Sequence, residues 1–206
     1  MNVQKITEVI AAMSRRMEEK KEYLTELDNA IADGDHGINM ARGFAAAKDK
    51  LPALADKDIG TLLKTVGMTV VSAVGGSAGP LYGTAFMRSG MAMAGKSEMD
   101  LTDFLACIKA SVEGIMARGK AVRGEKTMLD AMIPSLDAMT AAFESGADAK
   151  ATLDAGIKAA WEGFEFTKTI AATKGRASYI GERSIGHPDP GAASFTYLLE
   201  VIAEAL

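Results

Sequence analysis

Three aspartates lie close together in the segment 27–39, whose sequence is LDNAIADGDHGIN. They are Asp28, Asp33 and Asp35. Because like charges so near in the chain repel one another, such a cluster is costly unless a cation neutralises it. Hard oxygen ligands select hard cations, so we expect Mg²⁺ first and Ca²⁺ second. The alternative interpretation is capping, because Asp and Gly are common where two helices meet at a turn.

Two glycines of this acidic turn bear on its chemistry. Gly34 and Gly37 let the backbone bend sharply enough to direct the carboxylates to one centre. A helix that begins after Gly37 would present unpaired N–H groups to an anion. An EF-hand fits poorly, since a loop starting at Asp33 would need a glycine at Ile38 and a glutamate at Phe44. The turn therefore suggests a site for a metal–phosphate complex.

Three further loops contain residue types that suit an anion. The glycine-rich segment 75–83 could bring backbone N–H groups and Ser77 against a phosphate, although it lacks the Gly-Lys-Ser/Thr ending of a P-loop. The long polar segment 174–191 contains Arg176 and Arg183, which could bind phosphates or structural carboxylates. The loop 118–128 is basic, and a lone charge run of this kind is typical of solvated surface.

These loops must be positioned by helices, because helical periodicity dominates the chain. In the first helix, apolar residues recur at steps of about three and four from Ile6 to Ile31, with Lys20 as the one gap. Asp56 or Asp58 is expected to cap a third helix, and Asp100 a fifth. No segment alternates with period two. We predict an all-α protein of about eight helices with antiparallel neighbours.

Helix order predicts where the loops lie. In an up-and-down bundle, the loops after the first, third, fifth and seventh helices share one end. Those loops are the acidic turn, 75–80, 118–126 and 176–191. One composite site for a metal–nucleotide complex is therefore a better interpretation than four unrelated turns.

Composition limits the classes of protein to consider. The 206 residues are 48% hydrophobic and 24% charged, which is typical of a globular chain with one sizeable core, so we expect a single domain spanning 1–206. A net charge of −4 and the absence of a basic stripe argue against nucleic acid as a partner. Cys107 is the one cysteine and lies in an apolar run, so we expect it to be a small buried core residue. The charge-rich N-terminus and the lack of a long apolar run predict a cytoplasmic protein without a membrane segment.

Three motifs together resemble the nucleotide-binding L subunit of dihydroxyacetone kinase. They are the acidic turn 27–39, the segment GGSAGPLYGT at 75–84, and GRASYIGERSIGHPDPG at 175–191. The resemblance extends over essentially the whole chain, in the same order and spacing. It implies an antiparallel eight-helix barrel with the nucleotide site at one rim.

The resemblance also implies roles for individual residues. Asp28, Asp33 and Asp35 match aspartates that hold a pair of Mg²⁺ ions bridging the phosphates. Arg176 matches an arginine near the phosphates. These four residues form the catalytic group that the resemblance implies. The residues that match phosphate-binding positions are His36, Gly37, Ile38, Asn39, Ser77 and Ala78. Gly119 and Met128 match positions that line the adenine pocket, and Asp189, Pro190 and Gly191 match a further nucleotide contact. His36 is expected to contact phosphate or metal ligands rather than act as a general base, and His187 to order its loop.

Members of this family work in two ways. In one, ATP is the substrate and the domain is fused behind a sugar-binding K domain. In the other, a separate L subunit retains ADP, a phosphohistidine-bearing M subunit of the phosphotransferase system converts it to ATP in place, and the γ-phosphoryl passes to dihydroxyacetone bound on a separate K subunit. A chain of 206 residues has no room for a K domain, so the second mode is expected, that of a phosphoenolpyruvate–glycerone phosphotransferase. The alternatives are an ATP-exchanging kinase subunit with another acceptor and a non-enzymatic helical module that binds nucleotide or metal.

Overall fold

The computed structural model describes all 206 residues and is built from helices alone. The helices are α1 (Val3–Glu19), α2 (Lys21–Asn29), α3 (His36–Lys50), α4 (Ile59–Ala73), α5 (Ala78–Ala92), α6 (Leu101–Gly119), α7 (Leu129–Glu144), α8 (Ala149–Thr167) and α9 (Pro190–Glu204). Two 3₁₀ segments, Leu51–Leu54 and Arg176–Ser184, complete the chain. The all-α prediction is confirmed. No helix combines the length and the apolarity needed to cross a bilayer.

The sequence predicted one long helix from Ile6 to Ile31, and this prediction was wrong. The structure has two helices there, α1 and α2. The break falls at Lys20, where the backbone turns to φ −95° and ψ 2°. Lys20 is the residue that interrupts the apolar periodicity, so the stripe that buries Met17 ends here and resumes at Leu24. The Lys20 ammonium lies over the ring of Tyr197 in α9, 4.9 Å from its centroid. The second piece, α2, delivers Asp28 near its C-terminal end.

Short polar side chains set the starts of the helices. Asp58 accepts the N–H of Thr61 at the start of α4, and Asp100 accepts the N–H of Asp103 at the start of α6. Both caps confirm the predicted helix starts. The same contact begins α1, α8 and α9, with Asn2, Asp148 and Asp189 as the acceptors. Such caps satisfy N–H groups that have no partner inside the helix.

The helices enclose one large core. Each helix from α3 to α8 packs on the next along the chain, and α9 packs on both α8 and α1. Forty buried apolar residues form the main cluster, with Phe44, Leu62 and Leu153 fully buried. Cys107 belongs to it, which confirms its predicted place as a buried core residue. The finer prediction of an eight-helix antiparallel barrel stays a prediction.

The α4–α5 pair is packed backbone against backbone. A β-carbon added to Gly67 would lie 2.7 Å from the carbonyl oxygen of Gly83, and one added to Gly83 would lie 2.8 Å from that of Gly67. Both distances are shorter than a real contact allows, so only glycine permits this approach. The close packing holds the glycine-rich loop between α4 and α5 in place.

Candidate functional site

The acidic turn brings its three aspartates together. One carboxylate oxygen from each of Asp28, Asp33 and Asp35 lies within 4.8 Å of the others. Asp28 is buried, and its Oδ2 accepts the N–H of Asp35 at 2.9 Å and the N–H of His36 at 3.1 Å. Asp28 therefore caps the start of α3 while it also faces the other two carboxylates. The capping and metal interpretations describe the same residue.

Burial and hydrogen bonding act in opposite directions on Asp28. Burial raises the pKa of its carboxyl group, whereas the N–H groups of His36 and Asp35 lower it. Asp35 raises that pKa further, because a second negative charge nearby disfavours ionisation. A cation between these carboxylates would remove both the repulsion and the cost of burial. The donor set is the one that hard divalent cations prefer.

Arg176 joins the acidic turn to the loop that precedes α9. Its guanidinium forms an ion pair with Asp33. The sequence separates the two residues widely, and the structure brings the predicted arginine to the predicted carboxylates. Both side chains remain partly exposed, with 55% of Arg176 and 39% of Asp33 accessible. The pair is thus accessible to solvent and to a ligand in the same pocket.

His36 is held at the start of α3 by a buried hydrogen-bond network. Its Nε2 lies 2.9 Å from Oγ of Ser194, which lies 2.7 Å from the hydroxyl of Tyr82. Burial lowers the pKa of His36 to about 4, so the imidazole is neutral at pH 7. Ser194 also donates to the carbonyl of Gly191 at 3.1 Å. The network links α3, α5 and α9 beneath the acidic turn.

Four loops surround one cavity of about 450 Å³. They are the acidic turn, the glycine-rich loop, the loop between α6 and α7, and the segment from Lys174 to Gly191. The convergence predicted from helix order is confirmed. The predicted site residues that line this cavity are Asp28, Asp33, Asp35, His36, Ser77, Ala78, Gly119, Met128, Arg176, Asp189, Pro190 and Gly191.

Three predicted site residues lie outside the lining. Gly37 packs against α2, where a β-carbon would lie 2.0 Å from the carbonyl oxygen of Lys21. Ile38 is 51% exposed. Asn39 is buried, with its amide against Gly75 and its Oδ1 accepting from Arg42 at 2.6 Å. Asn39 therefore supports the glycine-rich loop from behind, and direct phosphate contact by these three residues stays a prediction.

The loop between α6 and α7 and the first turn of α7 each contain a residue that sequence analysis missed. Lys126 is only 1% exposed, so interpreting this basic loop as solvated surface was wrong for Lys126. Its ammonium donates to the carbonyls of Thr167 and Ile170, at 2.5 and 3.0 Å. Asp130 is fully buried and accepts the N–H groups of Gly124 and Thr127. Thr127 and Asp130 are three residues apart, as in the capping box that begins many helices, and this spacing could have identified Asp130 from the sequence. The sequence contains no comparable signal for Lys126.

Asp189 is a second carboxylate of the cavity, half-buried in its lining. It caps α9 by accepting the N–H of Ala192 at 2.7 Å, and its own N–H donates to Oγ1 of Thr167 at 2.9 Å. Burial raises the pKa of Asp189 to about 7; nearby Asp130 raises it further, and Lys126 opposes that rise. The charge of the Asp189 carboxyl group near neutral pH therefore depends on these neighbouring groups.

A smaller apolar cavity of about 130 Å³ lies inside the helical core. Its lining is almost wholly hydrophobic and comes mainly from α1, α5, α6 and α9. Three residues, Tyr82, Ile115 and Met128, line both this cavity and the larger one. They form a thin wall between the polar site and the core.

Comparison with known proteins assigns this chain to a family. The DAK2 domain family matches residues 30–204, which is most of the chain. The chain therefore belongs to the DAK2 domain family. Its sequence is 44% identical over 186 residues to the ADP-binding subunit DhaL of the PEP-dependent dihydroxyacetone kinase of Escherichia coli, covering 90% of this chain and 89% of that protein. The ADP-binding subunit DhaL of PEP-dependent dihydroxyacetone kinase 1 of Listeria innocua is also 44% identical, over 92% of this chain and 89% of its own length. These matches confirm the predicted resemblance.

Longer relatives contain the same domain. The L-erythrulose 1-kinase of Mycolicibacterium smegmatis is 34% identical over 98% of this chain, which spans 35% of that protein. Among solved structures, the dihydroxyacetone kinase of C. freundii in complex with AMP-PNP and Mg²⁺ matches with a TM-score of 0.76 at 21% identity. That match covers 97% of this chain and 33% of the other. It shows that the helical fold is shared.

Proposed function

We propose that residues 1–206 form one ADP-binding domain that serves as the L subunit of a dihydroxyacetone kinase. The observation that carries the proposal is the single cavity in which the acidic turn, Arg176 and the glycine-rich loop meet. The names of the DhaL relatives support ADP as the bound nucleotide. The cavity volume of about 450 Å³ falls within the range of small-ligand pockets.

Asp28, Asp33 and Asp35 would hold the magnesium, as a pair of ions. The clustered carboxylate oxygens fit a hard cation, and the half-exposed Asp33 and Asp35 leave the cluster open to a ligand. When bound, the metal supplies neutralisation and alignment of phosphate oxygens. The Mg²⁺ named with the C. freundii kinase supports this assignment.

The chain's own residues supply the rest of the electrostatic stabilisation. The N-termini of α3 and α5 begin at His36 and Ala78, beside the cluster, and their N–H groups favour an anion. Arg176 exchanges its contact with Asp33 for the transferring phosphoryl group, where its charge offsets the charge of the equatorial oxygens. Phosphoryl transfer needs positioning and charge neutralisation more than covalent chemistry, and this cavity provides both.

The full reaction needs two partners. A phosphohistidine-bearing M subunit phosphorylates the retained ADP in place, and the resulting ATP passes its γ-phosphoryl to dihydroxyacetone on a K subunit. The relatives' description as subunits of PEP-dependent kinases supports this arrangement. An ATP-exchanging subunit with another acceptor is the second candidate, and the similarity to L-erythrulose 1-kinase favours a related sugar as that acceptor.

The nucleotide content of the purified protein tests the proposal. We would dialyse the protein extensively, denature it and identify the released small molecules by mass spectrometry. Near-stoichiometric ADP would support a retained cofactor. Protein that contains no nucleotide but binds magnesium–ATP on titration would support the exchanging subunit. Protein that binds neither nucleotide would refute both and leave the non-enzymatic module.

Kinase assays with and without added partners test whether the reaction requires the K subunit and a phosphohistidine donor. The isolated chain should not phosphorylate free dihydroxyacetone, because the acceptor is bound by K. Turnover should appear when K and a phosphohistidine donor are added. Robust turnover by the isolated chain would contradict the proposed role.

A further inference from the structure

We propose that Lys126 positions the nucleoside part of the bound nucleotide by joining the loop between α6 and α7 to the turn that begins α9. The inference rests on the proposed function, and it assigns a role to a residue of the cavity outside the implied contact set. Lys126 acts through the residues that it holds, so it is a positioning residue.

The first support is the burial of a charged side chain. Lys126 is 1% exposed, and its ammonium donates to the carbonyl of Thr167, the last residue of α8, and to that of Ile170, just beyond the helix. Carbonyl groups at a helix end lack partners within the helix, and a positive charge is favoured there. Burying a cation is costly, so the contacts that it makes must repay that cost. Lys126 thus fixes its loop against α8.

The second support is the backbone at Lys126. Its φ is +60°, in the left-handed region that a residue with a β-carbon seldom adopts. The same loop contains a second lysine in this conformation, Lys120, with φ +48°, but Lys120 is exposed. Conformations of this kind persist where surrounding contacts determine them, and they concentrate at functional sites. At Lys126 those contacts are the carbonyls of Thr167, the last residue of α8, and of Ile170, three residues further on.

The third support is the path from Lys126 to Asp189. Lys126 holds the carbonyl of Thr167, and the hydroxyl of the same threonine accepts the N–H of Asp189 at 2.9 Å. The two loops then meet directly, because a β-carbon added to Gly191 would lie 3.3 Å from Cβ of Met128. Met128 and Gly191 are therefore neighbours in the cavity lining, and the contact between Lys126 and Thr167 joins the two loops to which they belong.

The charge of Lys126 compensates two neighbouring carboxylates of the protein. Asp189, which lines the cavity, and Asp130, in the first turn of α7, are the carboxylates whose negative charges favour the charged form of Lys126. A buried ammonium offsets those carboxylates. The ammonium uses two of its three N–H donors on protein carbonyls.

The test compares ADP with pyrophosphate, each titrated by calorimetry in the presence of Mg²⁺. Pyrophosphate occupies only the metal and phosphate end of the cavity, whereas ADP also needs the nucleoside end. We expect Lys126→Met to weaken ADP binding by about tenfold or more, the loss of one or two net hydrogen bonds, while pyrophosphate affinity changes less than about twofold. Lys120→Met is the matched control, since it removes an exposed lysine with the same backbone conformation from the same loop.

A second variant guards against misfolding of the first. Thr167→Val removes the acceptor for the Asp189 N–H while preserving side-chain shape, and Thr167 does not line the cavity. It should produce the same selective loss of ADP affinity. Equal losses for both ligands, or no loss for either, in the folded variants would overturn the inference. Wild-type protein that binds pyrophosphate but not ADP would instead refute the proposed function, so the two failures are distinguishable.

Discussion

Replacing Asp33 by asparagine tests the metal cluster with little change in shape. The carboxylate oxygens of the cluster lie within 4.8 Å of one another. Two unit charges at this separation repel by about 1 kcal/mol in bulk water and about 3.5 kcal/mol at an effective dielectric constant of 20. Because Asp33 is 39% exposed, the lower figure applies to each of its pairs, with Asp28 and with Asp35, so removing its charge relieves about 2 kcal/mol of repulsion.

The substitution also removes the ion pair between Asp33 and Arg176. Exposed pairs of this kind contribute about 0–1 kcal/mol, which offsets part of the relieved repulsion. We therefore expect Asp33→Asn to raise the free energy of unfolding of the metal-free protein by about 1–2 kcal/mol. Loss of a charged ligand should weaken Mg²⁺ binding by about 100-fold or more, since even outer contacts to metal ligands contribute 10- to 100-fold.

Two measurements separate these effects. Urea unfolding followed by circular dichroism gives stability, and calorimetric titration with Mg²⁺ and ADP gives affinity. Asp56→Asn is the control, because that aspartate is exposed and distant in sequence from the cluster. Unchanged Mg²⁺ and ADP affinity in Asp33→Asn would refute the metal assignment. A loss of several kcal/mol in stability would refute the electrostatic argument.

Three further predictions concern the buried polar groups and the packing of α4. The pKa of His36 is lowered to about 4, so the unfolded chain binds more protons between pH 4 and 6.5, and the free energy of unfolding should fall by up to about 3 kcal/mol as pH drops through that range. His36→Asn should reduce the dependence of the unfolding free energy on pH, measured by urea titrations at successive pH values. A pH dependence equal to that of the wild type would contradict this assignment to His36. Asp130→Ala leaves two backbone N–H groups without their acceptor and should cost about 2–4 kcal/mol in urea unfolding; a cost below 1 kcal/mol would be inconsistent with the observed contacts. In thermal melts, Gly67→Ala should lower the free energy of unfolding by about 2 kcal/mol or more, because its β-carbon would meet the backbone of α5. Ser72→Ala, on the exposed side of α4, is the control and should have little effect in the same measurement.

Local signals in the sequence were enough for most helices and for the loop convergence. Asp58 and Asp100 are capping residues whose effect extends over three residues, so spacing alone identifies them. The break at Lys20 was visible as a gap in periodicity, but whether one polar residue ends a helix depends on packing. Here the packing partner is Tyr197, which is remote in sequence. Tertiary contacts decided that boundary.

The candidate site divides in the same way. The acidic turn and the glycine-rich loop are compact motifs that a single sequence displays, and helix order then brings them together. The contacts of His36 with Ser194, and of Lys126 with Thr167, join residues 158 and 41 positions apart. Neither periodicity nor residue spacing predicts such contacts, because each depends on the way whole helices pack. A lysine in a basic loop has the same local sequence whether it is solvated or buried.

The thin wall between the two cavities offers a route to chemical control of this protein. Met128 belongs to that wall and is its most adaptable member, because an unbranched thioether side chain repacks readily. Shortening Met128 to alanine would open the apolar cavity of about 130 Å³ towards the proposed adenine end of the site. An adenine nucleotide with an added hydrophobic substituent would then fit the variant and be sterically rejected by the natural protein. The wall therefore provides the basis for an engineered nucleotide selectivity that leaves the acidic turn unaltered.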